Sequence, residues 1–366
     1  GEEGKFYVWT ADEVRAVLAP DEWAVAQLHF GFDGPPNVEG RAWHLRVARS
    51  LDAVARELGI DRSAAASTLL GARRRLLDVR SRRVRPGLDD KVLTSWNALA
   101  IAGLLRAGRA LGEQDWIGMA EAALDALRRT VWRDGRLHAT RRGGEPALPG
   151  YLDDYAFLLA ALVEAMQTRM RPEDYAWAIE LADALVDRFE DRERGGFWFT
   201  AHDHERLFHR TMPGHDDATP SGNGVAARAL VALGHLSAEP RYVEAAERAV
   251  RRFGPSIGES PGGYSTLLEA AHDLEHPPAV VIVAGPAGVD DAGNGEAARW
   301  TSALQRSYRP WVQVYRRPRH DAPGPLVKGA PPAVGARAWI CRRMTCLPAV
   351  DDLAALEAAL SRVEPG

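Results

Sequence analysis

The sequence predicts a mainly α protein: a toroid of helical hairpins, incomplete toward its N-terminus, followed by a small α/β appendage. Three observations carry this expectation. The pairs Asp89-Asp90, Asp153-Asp154 and Asp216-Asp217 recur about every 63 residues. Each pair precedes a helix whose apolar residues lie nearly all round, the pattern of a buried helix. Each buried helix is followed by a turn and an amphipathic helix. A helical pair cannot bury its own apolar face, so such pairs must stack or close on neighbours.

The repeat unfolds in order along the chain. Inner helices are expected to start near residues 90, 154 and 220, represented by Ser95 to Leu105, Tyr155 to Leu162 and Gly224 to Leu233. The outer helices are expected at Trp116 to Val131, Tyr175 to Phe189 and Tyr242 to Phe253. Gly-containing turns at Trp132 to Leu137 and Arg194 to Phe199 suit hairpin tips. The period exceeds the roughly 34 to 47 residues of common helical solenoids. The extra length falls at Arg133 to Gly150 and Glu190 to Thr219, on one side, which favours a toroid with a loop-built mouth over an open solenoid.

The flanks differ in character. Lys5 to Trp9 reads as a strand and Gly1 to Gly4 as a loop, as if the chain started mid-protein. Thr10-Ala11-Asp12-Glu13 spells a capping box. Ser50 to Leu58 and Asp61 to Val79 read as helices. From Pro277 the pattern turns to α/β: strands at Ala279 to Ala284, Trp311 to Tyr315 and Ala336 to Cys341, helices at Glu296 to Ser307 and Asp351 to Leu360, and a surface loop at Arg317 to Pro332. The expected division is therefore 1–276 for the toroid-like domain, with 1–88 irregular and 89–276 repeating, and 277–366 for the appendage.

Composition narrows the function classes. The 366 residues are 46% hydrophobic and 26% charged, ordinary for a globular protein. No apolar run approaches the roughly 18 residues of a membrane span. A net charge of −4 without a basic cluster argues against nucleic acid. No signal-like segment opens the chain, and a cytoplasmic protein is expected. Cys341 and Cys346 cannot form a disulfide framework; structural thiols are expected, with a disulfide and then redox chemistry as alternatives. His202, His204, His209 and His215 lack metal-ligand spacing, so no metal or cofactor is expected, although a cavity-facing histidine could move a proton in a sugar epimerase.

The candidate chemistry sits at the inner-helix starts. An aspartate there can cap the helix. Two together, repeated and brought to one cavity by closure, could instead supply the acid and base of glycosidic chemistry. Asp90, Asp154 and Asp217 are the candidate catalytic groups, and Asp89 and Asp153 accompany them in binding. Lys91 is one of only three lysines, with Lys5 and Lys328, in an arginine-rich chain, and could hold an aspartate ionised. Trp96 and Tyr155 offer faces for a sugar ring or fill the core. Asn97, Ser221 and Asn223 are candidate hydrogen-bonding groups. In Thr219-Pro220-Ser221-Gly222-Asn223-Gly224, two glycines in a first helical turn cost about 1 kcal/mol each and imply close approach of a ligand or a neighbouring helix.

Several of these segments together resemble a known family. Glu3 to Thr10, Leu88 to Asn97, Gly150 to Phe157, Ala218 to Asn223, Cys341 and Thr345-Cys346 are similar to motifs of the YyaL-like, thioredoxin-domain-containing family that includes the spermatogenesis-associated protein. The resemblance runs over nearly the whole chain. It implies an (α/α)6 toroid like those of six-hairpin glycosidases and N-acylglucosamine 2-epimerases, and a thioredoxin-like domain absent from this chain. A small carbohydrate and that thioredoxin-like domain are the partners it implies, with a carbohydrate-active enzyme or a non-catalytic scaffold as the two functions. The sequence departs from the family at Gly87, where a histidine is expected, so no proton-transfer role is carried over to that position.

Overall fold

A computed structural model of the chain describes residues 4–286, 295–317, 326, 329–343 and 345–362. Gly1 to Glu3 and most of the expected loop at Arg317 to Pro332 lie outside these. The chain forms two compact units, Gly1–Asp89 and Asp90–Gly366.

The first unit holds α1 (Ala11–Val17), α2 (Pro20–Phe30), α3 (Leu51–Leu58) and α4 (Arg62–Ser81). The capping box at α1 forms as expected: the Thr10 N–H donates to Glu13 Oε2 at 2.9 Å, and the Glu13 N–H donates to Thr10 Oγ1 at 3.2 Å. Trp9, Val14, Val25, Phe30, Val54 and Leu69 share one buried cluster. The strand expected at Lys5 to Trp9 shrinks to a single bridge between Trp9 and Trp43. Residues 4 to 7 turn instead, because the Tyr7 and Val8 N–H groups bond back to the Gly4 carbonyl.

The second unit opens with β1 (Val92–Leu93) and continues as helical hairpins: α5 (Thr94–Leu111) with α6 (Gln114–Val131), α7 (Leu152–Thr168) with α8 (Pro172–Ala184), and α9 (Gly222–Ser237) with α10 (Pro240–Glu259). A fourth inner helix, α11 (Ser265–Glu275), follows a short 3₁₀ turn. Helices α5, α7, α9 and α11 pack side by side in chain order, and each of the first three packs on its own outer partner. The expected inner and outer alternation is therefore present, and all-round burial of α7 and α9 explains why their sequences carry little polarity. A π-helical turn at Leu185–Phe189 closes the α8 end.

Between α6 and α7 the chain forms β2 (Trp132–Arg133), β3 (Arg136–Arg142) and β4 (Glu145–Pro149), all antiparallel, with β1 on the other edge of β3. The β2–β3 tip places both Asp134 and Gly135 at positive φ, 50° and 68°. Asp-Gly is the dipeptide that tolerates this geometry best.

The C-terminal elements are β5 (Ala279–Ala284), α12 (Glu296–Arg306), β6 (Val312–Arg316), β7 (Arg337–Arg342), β8 (Thr345–Cys346) and α13 (Leu353–Ser361). The strand order is β6-β5-β7-β8, parallel between β5 and β6 and antiparallel elsewhere. Strand alternation sends Val280, Ile282, Tyr315 and Trp339 into the core of the helical hairpins. Val281, Val283, Val314 and Ile340 face the other way, onto Trp300 and Leu304 of α12 and Leu356 of α13. Both sheet faces are thus covered, which is why β5 is wholly apolar. Cys341 and Cys346 are opposite each other on β7 and β8 and form a disulfide, not the thiol pair ranked first from sequence.

Candidate functional site

The inner-helix starts gather at one face, and carboxylates tie them together. Asp154 is the third residue of α7. Its Oδ2 accepts from the Tyr151 N–H at 2.9 Å, capping its own helix, while Oδ1 accepts from the Ser95 N–H at 3.0 Å in the first turn of α5. Asp216 does the same one repeat later. Its Oδ1 accepts from the Ser221 N–H at 2.8 Å and the Thr266 hydroxyl at 2.7 Å, and its Oδ2 accepts from the Thr266 N–H at 2.8 Å. It therefore joins the starts of α9 and α11. Each carboxylate satisfies free N–H groups on two helices at the positive ends of their dipoles.

Asp153 links the remaining pair, α7 and α9, without a hydrogen bond. A Cβ on Gly222 would lie 2.1 Å from Asp153 Oδ1 and 3.0 Å from Leu152 Cγ. The glycine predicted to need close approach therefore meets a neighbouring helix. Asp153 Oδ1 is buried and has no hydrogen-bond partner. Burial pushes the Asp153 carboxyl up to about 6. Asp154 is only 3% exposed. Burial pushes it up to about 7, against the pull of the Tyr151 and Ser95 N–H groups and with a small addition from Asp153. Asp216 behaves oppositely: desolvation works against its ionisation, but the bonds from Ser221 and Thr266 hold it below the ordinary carboxylate range.

The other expected site residues divide. Asp90 is exposed, lies upstream of α5, and pairs with Arg142 of β3 at 2.7 Å, so it is not at a helix start. Asp89 and Lys91 are exposed, and the boundary between the compact units passes between Asp89 and Asp90. Trp96, in the first turn of α5, is 63% exposed and does not fill the core. Asn97 donates to the Leu93 carbonyl at 2.8 Å. Tyr155 is buried, and its hydroxyl accepts from the Leu137 N–H at 3.0 Å. Ser221 is the N-cap of α9. Asn223 is fully buried; it accepts from the Phe197 N–H at 2.7 Å and donates to the Phe197 and Pro213 carbonyls at 2.9 and 2.8 Å. It locks the Gly195–Gly196 turn and residue 213 onto α9. Asp217 is exposed, and its neighbour Asp216 makes the bridge.

Sequence reasoning missed Asp216 as the working member of its pair and missed Thr266 altogether, because α11 carries no aspartate pair. A cleft lined by Arg136, Tyr155, Arg188, Asp203 and His204 was also missed; of the residues expected to share one cavity, only Tyr155 lines it. Among the described residues, no three metal-ligating side chains gather at one place. No described helix is long and apolar enough to cross a membrane.

No protein-family model matches the chain. Spermatogenesis-associated protein 20 of Homo sapiens is 26% identical over 313 residues, covering 77% of this chain and 40% of that protein. An uncharacterized protein of Caenorhabditis elegans is 25% identical over 296 residues, covering 74% of this chain and 40% of that protein. The chain is a homologue of spermatogenesis-associated protein 20. The YyaL-like kinship expected from the motifs is therefore present, over a region that spans 40% of the length of these curated relatives. Among solved structures, cellobiose 2-epimerase from Spirochaeta thermophila aligns at a TM-score of 0.37 and 20% identity, over 44% of this chain and 43% of that one. A GH76 α-mannanase of Bacteroides thetaiotaomicron aligns at 0.41 and 13%, over 60% and 59%.

Proposed function

We propose that the helical unit acts on a small neutral carbohydrate by acid–base chemistry at the face where the inner helices start. Asp153 is the group that exchanges the proton. The observation that carries this reading is its carboxyl: half-buried, raised to about 6, with one oxygen unpartnered. Such a group is a proton donor and acceptor near neutral pH, where acid–base catalysis is most effective. The sequence placed that role on Asp90, Asp154 and Asp217. Asp154 is better suited to positioning, because both its oxygens already accept N–H groups. Trp96 is one residue from Ser95, which bonds Asp154, so an exposed indole stands by the same helix starts and can stack on a sugar ring.

A second reading has its own support. Asp154, Asp216 and Asn223 are fully engaged in joining helices and loops, as in a rigid module that presents a surface to the thioredoxin-like domain implied by the family resemblance. One experiment separates the two. The chain is incubated with neutral disaccharides and N-acylated amino sugars, and products are read by chromatography. The enzymatic reading expects turnover that falls by at least about 10²-fold in Asp153→Asn. Absence of turnover on the whole panel, or turnover unchanged in folded Asp153→Asn, leaves the module reading in its place.

A further inference from the structure

The cleft beside the β2–β3 hairpin is lined by Arg136, Leu137, Tyr155, Arg188, Asp203 and His204. None of the three carboxylates at the helix starts lines it, so its chemistry is separate from the reading above.

Its hydrogen-bonding groups are out of balance. Arg136 pairs with Asp203 through Oδ2, and that bond, with the charge of Arg188 nearby, holds the Asp203 carboxyl below its ordinary range, so two guanidiniums share one carboxylate. Arg188 makes one long hydrogen bond, 3.4 Å to the Gly135 carbonyl, and no ion pair among the described residues. Of the acids on the neighbouring helix face, Asp183 pairs with Arg241 and Asp187 with Arg192, while Glu180 is exposed to solvent and does not line this cleft. The Tyr155 hydroxyl accepts from Leu137, and among the described residues nothing accepts its hydrogen. Both ring nitrogens of His204 are buried without a partner. A buried donor left unmade is costly, and a native site that keeps one needs an explanation.

Three donors, on Arg188, Tyr155 and His204, thus line one cleft whose single lining acid is shared between two arginines. A ligand that answers them must bring acceptors and negative charge. We propose that this cleft binds the oxyanion group, carboxylate or phosphate, of a small metabolite. The anion takes the Arg188 guanidinium and the His204 and Tyr155 hydrogens. Guanidinium is the side chain best matched to either oxyanion, through paired N–H donors.

The test is calorimetric titration of the chain with inorganic phosphate, with gluconate and with glucose as the neutral control. One-to-one binding of phosphate or gluconate is expected, and the stronger of the two identifies the oxyanion. Glucose does not compete. Arg188→Gln and His204→Phe each weaken anion binding by about tenfold or more, as loss of a charge-assisted bond should, while Asp153→Asn leaves it unchanged. Arg188→Lys restores part of the loss. The proposal is overturned if neither anion binds at millimolar concentration, or if binding survives in either folded variant. His204→Phe decides alone should Arg188→Gln not fold.

Discussion

Asp153 is held in a position that costs stability. Its carboxyl is desolvated, one oxygen is unpartnered, and its α7 neighbour Asp154 is also acidic. Residues kept under such conditions often mark function, since a site tuned for chemistry is seldom tuned for stability. The cost has a pH signature. The folded-state value is raised to about 6 from an ordinary 3.8, so the folded protein keeps a proton that the unfolded chain has released. The contribution of Asp153 is most favourable below the unfolded value and is lost as pH rises through about 6. Asp153→Asn removes this titration. Urea denaturation should show the variant gaining on the wild type between pH 4 and pH 7.5, by no more than about 3 kcal/mol. An unchanged difference across that range contradicts the assignment.

Helix starts show how elements find their neighbours. Gly222 opens α9 where alanine would be favoured by about 1 kcal/mol on propensity alone. Its missing side chain lets Asp153 and Leu152 approach, so Gly222→Ala should destabilise the protein by about 1–3 kcal/mol despite the better propensity, read by thermal or chemical denaturation. A stabilised variant would mean that α7 and α9 are not in this contact. The elements themselves were largely legible. The buried and amphipathic alternation located α5 to α10, and the apolar run at Ala279 to Ala284 located β5. Helix α11 was missed because it lacks the aspartate pair that flagged the others. The strand expected at Lys5 to Trp9 failed because local turn bonds at Gly4 outcompete a sheet that, among the described residues, supplies one bridge partner, Trp43.

At the scale of the molecule, period and composition were enough to expect helical hairpins, but not the pairing that holds their starts together. Asp154 meets Ser95 across 59 residues, and Asp216 meets Thr266 across 50. A repeated Asp-Asp motif announces that one carboxylate of a pair is needed; only closure of the helices decides which. In the second pair Asp154 bridges and Asp153 is left over, whereas in the third Asp216 bridges and Asp217 is exposed. In the first pair Asp90 is drawn to Arg142 on β3. The C-terminal strands, read from sequence as an appendage, place one face in the hairpin core, since a sheet with two apolar faces must cover both.

The central claim is that a carboxyl at the α7 start is poised to exchange protons near neutral pH with a bound sugar. Carbon-detected NMR titration of the aspartate carboxyls, assigned through Asp153→Asn and repeated with any saccharide that the panel selects, measures it directly. The account predicts that the Asp153 signal titrates near 6 and moves when the saccharide binds. A signal that titrates at the ordinary carboxylate value and does not respond to any saccharide would contradict it.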